Sequence, residues 1–386
     1  MALNRRIAVI GSAISAPVTD EAKSLEELLF DVAQAAMRDA GLDADQIDGI
    51  VVASNDQFDG RAISIMAASG SVGGVDRDIL STPSAGEHAF VMGVLRVASG
   101  QYDTQLVVSW SPVEASSLSE AQRLGADPYF HRALPLDELS GAALQASAIL
   151  ADQPETAALA RRLTERNRAN GMHAYPEAAR AGAKNPDKTA GRWPIEPDMV
   201  SSPVLGAVAV VIASEEHIAR HKLDNVAWVR GMGWATEAGF LGDRDLSTAP
   251  ALEEAARRAY AEAGLSDPRK ALDVVELTDV SPYQELLAYA ALGLSGKAKW
   301  QADIDAGVFD RDGELPVNPS GGVITINPVF CTGMIRIAEA ARQVQGKAGR
   351  HQIRNARAAL AQAASGFAMM YQTVLVFGQD KDGALA

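Results

Sequence analysis

The stretch Val317-Asn318-Pro319-Ser320-Gly321-Gly322 is followed by Asn327-Pro328 and then by Cys331-Thr332-Gly333, and this segment says most about the fold. Cys331 is the only cysteine of the chain, so an intramolecular disulfide and a cysteine-rich zinc site are both excluded. Asn327 carries an amide, which cannot take a proton from a carbon or a thiol at neutral pH. The segment therefore limits the chemistry that it can support by itself.

The composition excludes several classes of partner. The chain has 386 residues, of which 47% are hydrophobic and 22% charged, and its net charge is −14. Such an acidic chain is not expected to bind nucleic acid or an anionic membrane surface as its main partner. No run approaches the roughly 18 apolar residues that a membrane span needs. We therefore predict a cytoplasmic protein with no membrane insertion.

The histidines do not predict a metal site. All six are scattered along the chain. His217 and His221 have the i, i+4 spacing of one helix face, but no His-Glu-x-x-His pattern surrounds them. A solvated helix face explains this spacing, so we predict no bound metal.

The first third of the chain alternates strands and helices. The apolar run 7–11 predicts a buried strand, and residues 25–40 have the periodicity of an amphipathic helix. A strand at 47–52, a helix at about 85–98 and a strand at 105–109 follow. This β-α-β-α-β order predicts an α/β fold with a mostly parallel sheet and helices on both of its faces.

The same order recurs in the second half, which indicates an internal repeat. Four segments are echoed by later ones in the same sequence order. The pairs are 35–42 with 258–265, 48–52 with 273–277, 84–86 with 331–333, and 106–109 with 374–377. We therefore divide the chain into an N-terminal half, 1–240, and a C-terminal half, 241–386. The N-terminal half includes an irregular insertion at 115–200, which we expect to cover a ligand site.

Two segments resemble the thiolase superfamily. Pro203–Glu216 is similar to the segment that closes the first half of a thiolase, and Val317–Gly322 is similar to its Val-Asn-Pro-Ser-Gly-Gly segment. The chain most resembles bacterial thiolase-like proteins of the sterol-carrier/lipid-transfer-protein thiolase group. The resemblance implies duplicated βαβαβ halves in a five-layered α-β-α-β-α arrangement, with the insertion over the active site. It also implies a coenzyme A thioester as substrate and no covalently bound cofactor.

The usual thiolase catalytic residues have no counterpart. The nucleophilic cysteine of the family is expected at position 83 or 84, where the chain has Pro83-Ser84. Asn327 stands where the family's histidine is expected. The second cysteine of the family corresponds to about residues 361–366, which contain none. The resemblance therefore implies an acyl-CoA pocket without the usual chemistry.

Several residues remain as catalytic candidates. Ser84 is either an N-cap or a nucleophile, Cys331 either a small buried residue or a thiolate at a helix start, and His88 either a packed helix residue or a pocket base. Asp279 and Tyr283, in a slot that relatives fill with residues beside the substrate, are candidate acids or bases, as is nearby Glu285. Asn327 is a candidate donor to an oxyanion. The resemblance implies a further set of substrate-binding residues, which comprises Ser320, Gly321, Gly322 and Gly333.

Three functions remain open. The first is carbon–carbon cleavage by retro-aldol chemistry in the catabolism of lipid, steroid or other acyl-CoA side chains. The second is a non-catalytic thiolase-like subunit of a heteromeric complex, and the third is acyl transfer through Ser84 or Cys331. Expected partners are acyl-CoA, a second copy or another thiolase-like chain contacting the region of Ile79-Leu80, and a small zinc-ribbon/OB-fold subunit.

Overall fold

The strands form one mixed sheet. The computed structural model describes residues 5–15, 23–60, 62–111, 118–184, 192–201 and 203–383. Among them, nine strands pair in the order β3-β2-β4-β5-β1-β6-β9-β8-β7. The strands are β1 Ile7–Ile14, β2 Gly49–Ala53, β3 Asp78–Thr82, β4 Thr104–Trp110, β5 Ala207–Ser214, β6 Ala227–Thr236, β7 Val274–Leu277, β8 Ala358–Ser365 and β9 Tyr371–Gly378.

Fifteen α-helices lie in the described part of the chain. They are α1 Leu25–Ala40, α2 Asp56–Asp59, α3 Ser64–Ser71, α4 Gly86–Ala98, α5 Leu118–Gly125, α6 Glu138–Asp152, α7 Thr156–Ala174, α8 Pro176–Lys184, α9 Glu215–His221, α10 Pro250–Ala263, α11 Pro268–Ala271, α12 Pro282–Ala291, α13 Trp300–Asp305, α14 Gly322–Thr325 and α15 Thr332–Gln345. Within these residues, no helix combines the length and the apolar character needed to cross a bilayer.

Helix α1 shows why its sequence forms this element. Ser24 accepts a hydrogen bond from the backbone of Glu27, whose carboxylate accepts one from the backbone of Ser24, so the first turn is capped from both sides. Gly41 ends the helix in the left-handed region, at φ 68°. The predicted helix 25–40 is confirmed with the same bounds.

The prediction of a mostly parallel sheet was wrong. Only the pairs β2–β3, β2–β4 and β7–β8 are parallel, and the other five pairs are antiparallel. A βαβ crossover fixes parallel pairing only for the strands that it joins. In each half, the last strand pairs in antiparallel fashion with the strand before it, as β5 does with β4 and β9 with β8. The first strand of the half, β1 or β6, then pairs with the other edge of that last strand.

The internal repeat is present, with one of its pairs reassigned. The first half has the order β3-β2-β4-β5-β1, and the second has the order β7-β8-β9-β6, with Val317 bridged to Val275 in parallel beside β7. Strand β4 therefore corresponds to β8, and β5 corresponds to β9. The echo between 106–109 and 374–377 matched strands that hold different places, because both are short apolar runs.

The helices and the sheet form the expected five layers. Helices α4 and α15 lie in the centre and pack against both halves of the sheet. Helices α1 and α3 cover the outer face of the first half, while α10 and α12 cover that of the second. Strand β5 shows the alternation that this needs, because Val208, Val210 and Ile212 face the centre while Ala207, Ala209 and Val211 face α1.

Candidate functional site

A cavity lies where the two central helices begin. Its volume is about 650 Å³, and Ser84, Ala85 and Thr332, at the starts of α4 and α15, are part of its wall. The backbone N–H of Gly86 donates to the carbonyl of Phe330 across 2.9 Å, which ties the two helix starts together. A Cβ at Gly86 would lie 2.8 Å from the Cβ of Met334, so glycine permits this approach. Both helix N-termini thus direct their positive dipole ends to one region.

Aromatic rings are concentrated in this cavity. The chain has nine phenylalanines, and five of them line the cavity, although aromatic residues are only 5% of the chain. The aromatic lining consists of Phe58, Phe130, Phe240, Phe330, Phe367 and Tyr371. Phe58 and Phe330 are in contact at 4.5 Å between ring centroids. This wall suits an apolar ligand of substantial size.

Ser84 and His88 form a hydrogen-bonded pair. The distance between Ser84 Oγ and His88 Nδ1 is 2.5 Å. Ala85, not Ser84, is the N-cap of α4, and the helix start has no side-chain cap. The prediction that Ser84 could be the N-cap of α4 was therefore wrong, and its hydroxyl instead contacts the histidine one turn further along the helix. The His88 ring meets Tyr371 edge-on at 5.9 Å.

Asn327 reaches the cavity as the resemblance implied. It is 7% exposed and lies in the cavity wall, and its backbone carbonyl accepts a hydrogen bond from Val204. Its side-chain amide makes no hydrogen bond to another described residue. The amide is therefore free to donate to a ligand oxygen.

Two cavity residues, His131 and Glu138, were missed from the sequence. Both come from the segment between β4 and β5, where α5 and α6 form part of the wall. Glu138 begins α6, and burial, followed by the charges of Asp137 and Glu87, raises its pKa to about 7. His131 is 6% exposed, and its ring stacks on Phe240 at 5.5 Å. No local motif marks either residue, since an acidic pair such as Asp137-Glu138 is ordinary at a helix start.

Cys331 lies outside the cavity wall. It is fully buried, and its thiol contacts the carbonyl oxygens of Pro328 at 3.2 Å and Gly206 at 3.8 Å. Burial raises the pKa of the thiol far above its usual range. Cys331 is therefore placed as a small packed residue, and it is not poised to attack a ligand.

Asp279 and Glu285 form a buried polar network that does not line the cavity. Asp279 accepts hydrogen bonds from Asn167 Nδ2 and from the backbone of Val323, each at 2.7 Å. Glu285 accepts a hydrogen bond from Asn167 at 2.8 Å and pairs with Arg166. Burial and the charge of Glu285 raise the pKa of Asp279 well above its usual value. These acids hold the fold around α14, away from the cavity wall.

Tyr283 is also buried away from the cavity. It is 1% exposed and belongs to the core cluster under the second half of the sheet. Burial raises the pKa of its hydroxyl. The structure therefore does not bring Tyr283 together with Ser84, His88 and Asn327.

The Ser-Gly-Gly turn is structural in the same way. Ser320 donates from Oγ to Glu276 at 2.6 Å, and Arg336 completes the group with a 2.7 Å ion pair to Glu276. A Cβ at Gly321 would lie 2.5 Å from the Cα of Gly171. A Cβ at Gly322 would lie 2.3 Å from Asp279 Oδ1, and one at Gly333 would lie 2.4 Å from Glu87 Oε2. Ser320, Gly321, Gly322 and Gly333 thus shape the turn and helix start that position Asn327, and none of them lines the cavity.

Comparisons with known proteins agree with this fold. Residues 235–379 match the family model described as Thiolase C-terminal domain-like. The chain is 35% identical over 162 residues to sterol carrier protein 2 of Oryctolagus cuniculus, covering 40% of this chain and 29% of that protein. It is 32% identical over 157 residues to acetyl-CoA acetyltransferase of Methanothermobacter thermautotrophicus, covering 40% of each. The matched region thus spans less than a third of the sterol carrier proteins.

Solved structures with the same fold cover nearly the whole chain. One described as "Ltp2-ChsH2(DUF35) aldolase" has a TM-score of 0.79 at 19% identity, over 98% of both chains. A monomeric SCP2-thiolase like protein type 1 from Mycobacterium smegmatis has a TM-score of 0.66 at 18% identity, over 98% of this chain and 78% of that one. The chain is thus similar in fold to SCP2-thiolase-like proteins, and its residues 235–379 match a thiolase family model.

Proposed function

We propose that the chain binds an acyl-CoA and breaks a carbon–carbon bond beside the thioester by retro-aldol chemistry, without a cysteine nucleophile. One observation carries the proposal. The cavity at the starts of α4 and α15 holds a free amide, protonatable side chains and an aromatic wall, while the only thiol is buried outside it. Such a set suits proton transfer and charge stabilisation better than covalent thiol catalysis.

The reaction needs a site for the enolate of the thioester. Negative charge on the thioester oxygen is stabilised by hydrogen-bond donors and by the positive ends of helices. Asn327 supplies an uncommitted amide, and the starts of α4 and α15 supply the dipoles. The acyl chain then lies against the rings of the cavity, which exclude water from the reacting atoms.

The relatives support the substrate class and suggest a partner. The structure with a TM-score of 0.79 is described as an aldolase that joins Ltp2 to ChsH2(DUF35). We extend to this chain a role in lipid or other acyl-CoA side-chain metabolism and a small subunit of the DUF35 kind. Pairing with a second thiolase-like chain is proposed through β3, which ends the sheet and leaves Ile79 and Leu80 half-buried.

A second candidate is acyl transfer through Ser84. The 2.5 Å contact between Ser84 Oγ and His88 Nδ1 favours it, because a histidine beside a hydroxyl is the usual way to activate that nucleophile. Covalent transfer would leave an acyl group on Ser84. Mass spectrometry of the intact protein after mixing with acyl-CoA therefore separates the candidates, since retro-aldol cleavage forms no adduct.

Turnover of a β-hydroxyacyl-CoA by the purified chain tests the proposal. We expect an aldehyde or ketone and a shortened acyl-CoA in equal amounts, measured by a carbonyl-trapping reagent and by mass spectrometry. Replacing Cys331 by Ala should leave the yield within about twofold, because the thiol lies outside the cavity. Binding of the thioester without cleavage, with or without a DUF35-type subunit, would contradict the lyase and favour a non-catalytic subunit.

A further inference from the structure

The segment between β4 and β5 brings two uncommitted side chains, Glu138 and His131, to the cavity. We infer that they form a hydroxyl-recognition site, in which Glu138 takes the proton of the ligand's hydroxyl and His131 Nε2 hydrogen-bonds to the same oxygen. This inference rests on the proposed function and deepens it, because it assigns the base and requires a hydroxylated acyl chain. Both residues line the cavity, from the turn after α5 and the start of α6.

Glu138 and its neighbour Asp137 have opposite environments. Asp137 Oδ1 caps α6, accepting hydrogen bonds from the backbone of Ser140 at 2.8 Å and its hydroxyl at 2.6 Å, while Oδ2 accepts one from Ser119. Arg192 lies 3.6 Å from the same carboxylate. The carboxylate of Glu138 has no hydrogen bond or ion pair with any described residue. One carboxylate is thus committed to the fold, and the other is left to the cavity.

The charges around Glu138 favour its protonated form at low pH and allow it to act as a base near neutrality. Burial has the largest effect on the pKa of Glu138, and the negative groups Asp137 and Glu87 add to it, so the value rises to about 7. Helices α12 and α7 also pack on α6, but α12 reaches it through Gln284 and Gln145, two turns away from Glu138. A base is most effective when its pKa lies near the working pH.

His131 also has a buried nitrogen without a hydrogen-bond partner, which supports the same site independently of Glu138. The residue is only 6% exposed, and its Nε2 has no hydrogen-bond partner in the described part of the chain. A buried polar atom without a partner destabilises the fold unless something else satisfies its hydrogen bond. Stacking on Phe240 holds the ring in the cavity wall. A ligand hydroxyl would complete this hydrogen bond.

The chemistry is balanced without any further reagent. The ionised Glu138 takes the proton of the β-hydroxyl, and the oxygen forms the carbonyl of the departing aldehyde or ketone. The bond between the α and β carbons breaks, and its electron pair becomes the enolate of the thioester, which the Asn327 amide stabilises. The proton held by Glu138 then returns to the α carbon, either directly or through a water molecule, and gives the shortened acyl-CoA.

The pH profile of Glu138→Gln tests the assignment during turnover. For the wild-type protein we expect kcat/KM for a β-hydroxyacyl-CoA to rise about tenfold per pH unit below pH 7 and to level above it. The variant should lose about 10²-fold or more and should lose this rise, while KM changes little. Asp152→Asn, at the exposed end of the same helix, is the matched control and should keep the wild-type profile. A variant that keeps the rise through pH 7 overturns the assignment.

Ligand affinity tests the site even if no cleavage occurs. Calorimetry compares a β-hydroxyacyl-CoA with the acyl-CoA of the same length that lacks the hydroxyl. We expect the wild-type protein to prefer the hydroxylated ligand at least tenfold, and we expect this preference to fall below about threefold in Glu138→Ala and in His131→Phe. Absent turnover with the preference intact would refute only the lyase. An equal preference in the wild-type protein and both variants would refute the hydroxyl site.

Discussion

Replacing Gly322 by Ala should destabilise the fold through the left-handed backbone at this position and through a close contact with Asp279. Gly322 has φ +63°, and a Cβ there would lie 2.3 Å from Asp279 Oδ1 and 2.6 Å from Asn318 Nδ2. The left-handed backbone costs a non-glycine residue about 1–2 kcal/mol. Displacing Asp279 also weakens its buried hydrogen bond to Val323, which costs about 1–3 kcal/mol more. We therefore expect the free energy of unfolding to fall by about 3–4 kcal/mol.

Gly264 provides the matched control for this substitution. It ends α10 at φ +67°, and a Cβ there would have no atom within 4 Å. Gly264→Ala should therefore show the backbone cost alone, about 1 kcal/mol. With an unfolding entropy of about 2.1 cal/mol/K per residue, the melting temperature should fall by about 4 °C for Gly322→Ala and about 1 °C for Gly264→Ala. Equal shifts in differential scanning calorimetry would show that Asp279 does not lie against Gly322.

Three further predictions concern the cavity and the lone thiol. Glu138→Gln should raise the free energy of unfolding by about 2 kcal/mol at pH 8 and leave it nearly unchanged at pH 4. The pKa of Glu138 is about 7 in the folded protein and near 4.5 in the unfolded chain, so the wild-type protein loses stability as the pH rises between these values, whereas glutamine does not ionise. Equal effects at both pH values in urea unfolding would contradict this. Cys331 should resist iodoacetamide at pH 8 in the folded protein and react fully in urea, because it is buried and the pKa of its thiol is raised. Rapid labelling of the folded protein would argue against its burial. Phe240→Ala should weaken acyl-CoA binding about tenfold, as expected when an apolar ring contact is lost, whereas Trp193→Ala, at an 86% exposed ring, should not. Equal losses of affinity in calorimetry for the two variants would show that the aromatic rings of the cavity do not contact the ligand.

The helices, the strands and the internal repeat could be predicted from the sequence, but the order and direction of strand pairing in the sheet could not. The helix at 25–40 has a capping box, a regular apolar face and a terminal glycine, so local information defines it. Pairing of β4 with β5 depends on a chain that returns after about a hundred residues, and no local pattern carries that contact. The apolar alternation that predicts a strand does not say which strand lies beside it.

The residues of the candidate site that could be predicted are those that belong to a sequence motif and also line the cavity. Ser84 and Asn327 follow from their places at the start of α4 and after the Ser-Gly-Gly turn, and both line the cavity. Asp279 was selected as an acid in a family slot, but its carboxylate is consumed by Asn167 and Val323. Glu138 was missed because its raised pKa arises mainly from burial, with smaller contributions from its neighbour Asp137 and from Glu87, which is remote in sequence. Such effects exist only once the chain has folded.

A structure with a β-hydroxyacyl-CoA bound would show directly whether the cavity holds the reacting atoms. We expect the thioester oxygen to lie within hydrogen-bond reach of the Asn327 amide at the starts of α4 and α15. We also expect the β-hydroxyl to lie within reach of both Glu138 and His131 Nε2, with the acyl chain among the phenylalanine rings. A thioester held against Ser84 with its hydroxyl far from Glu138, or one bound outside this cavity, would contradict the account.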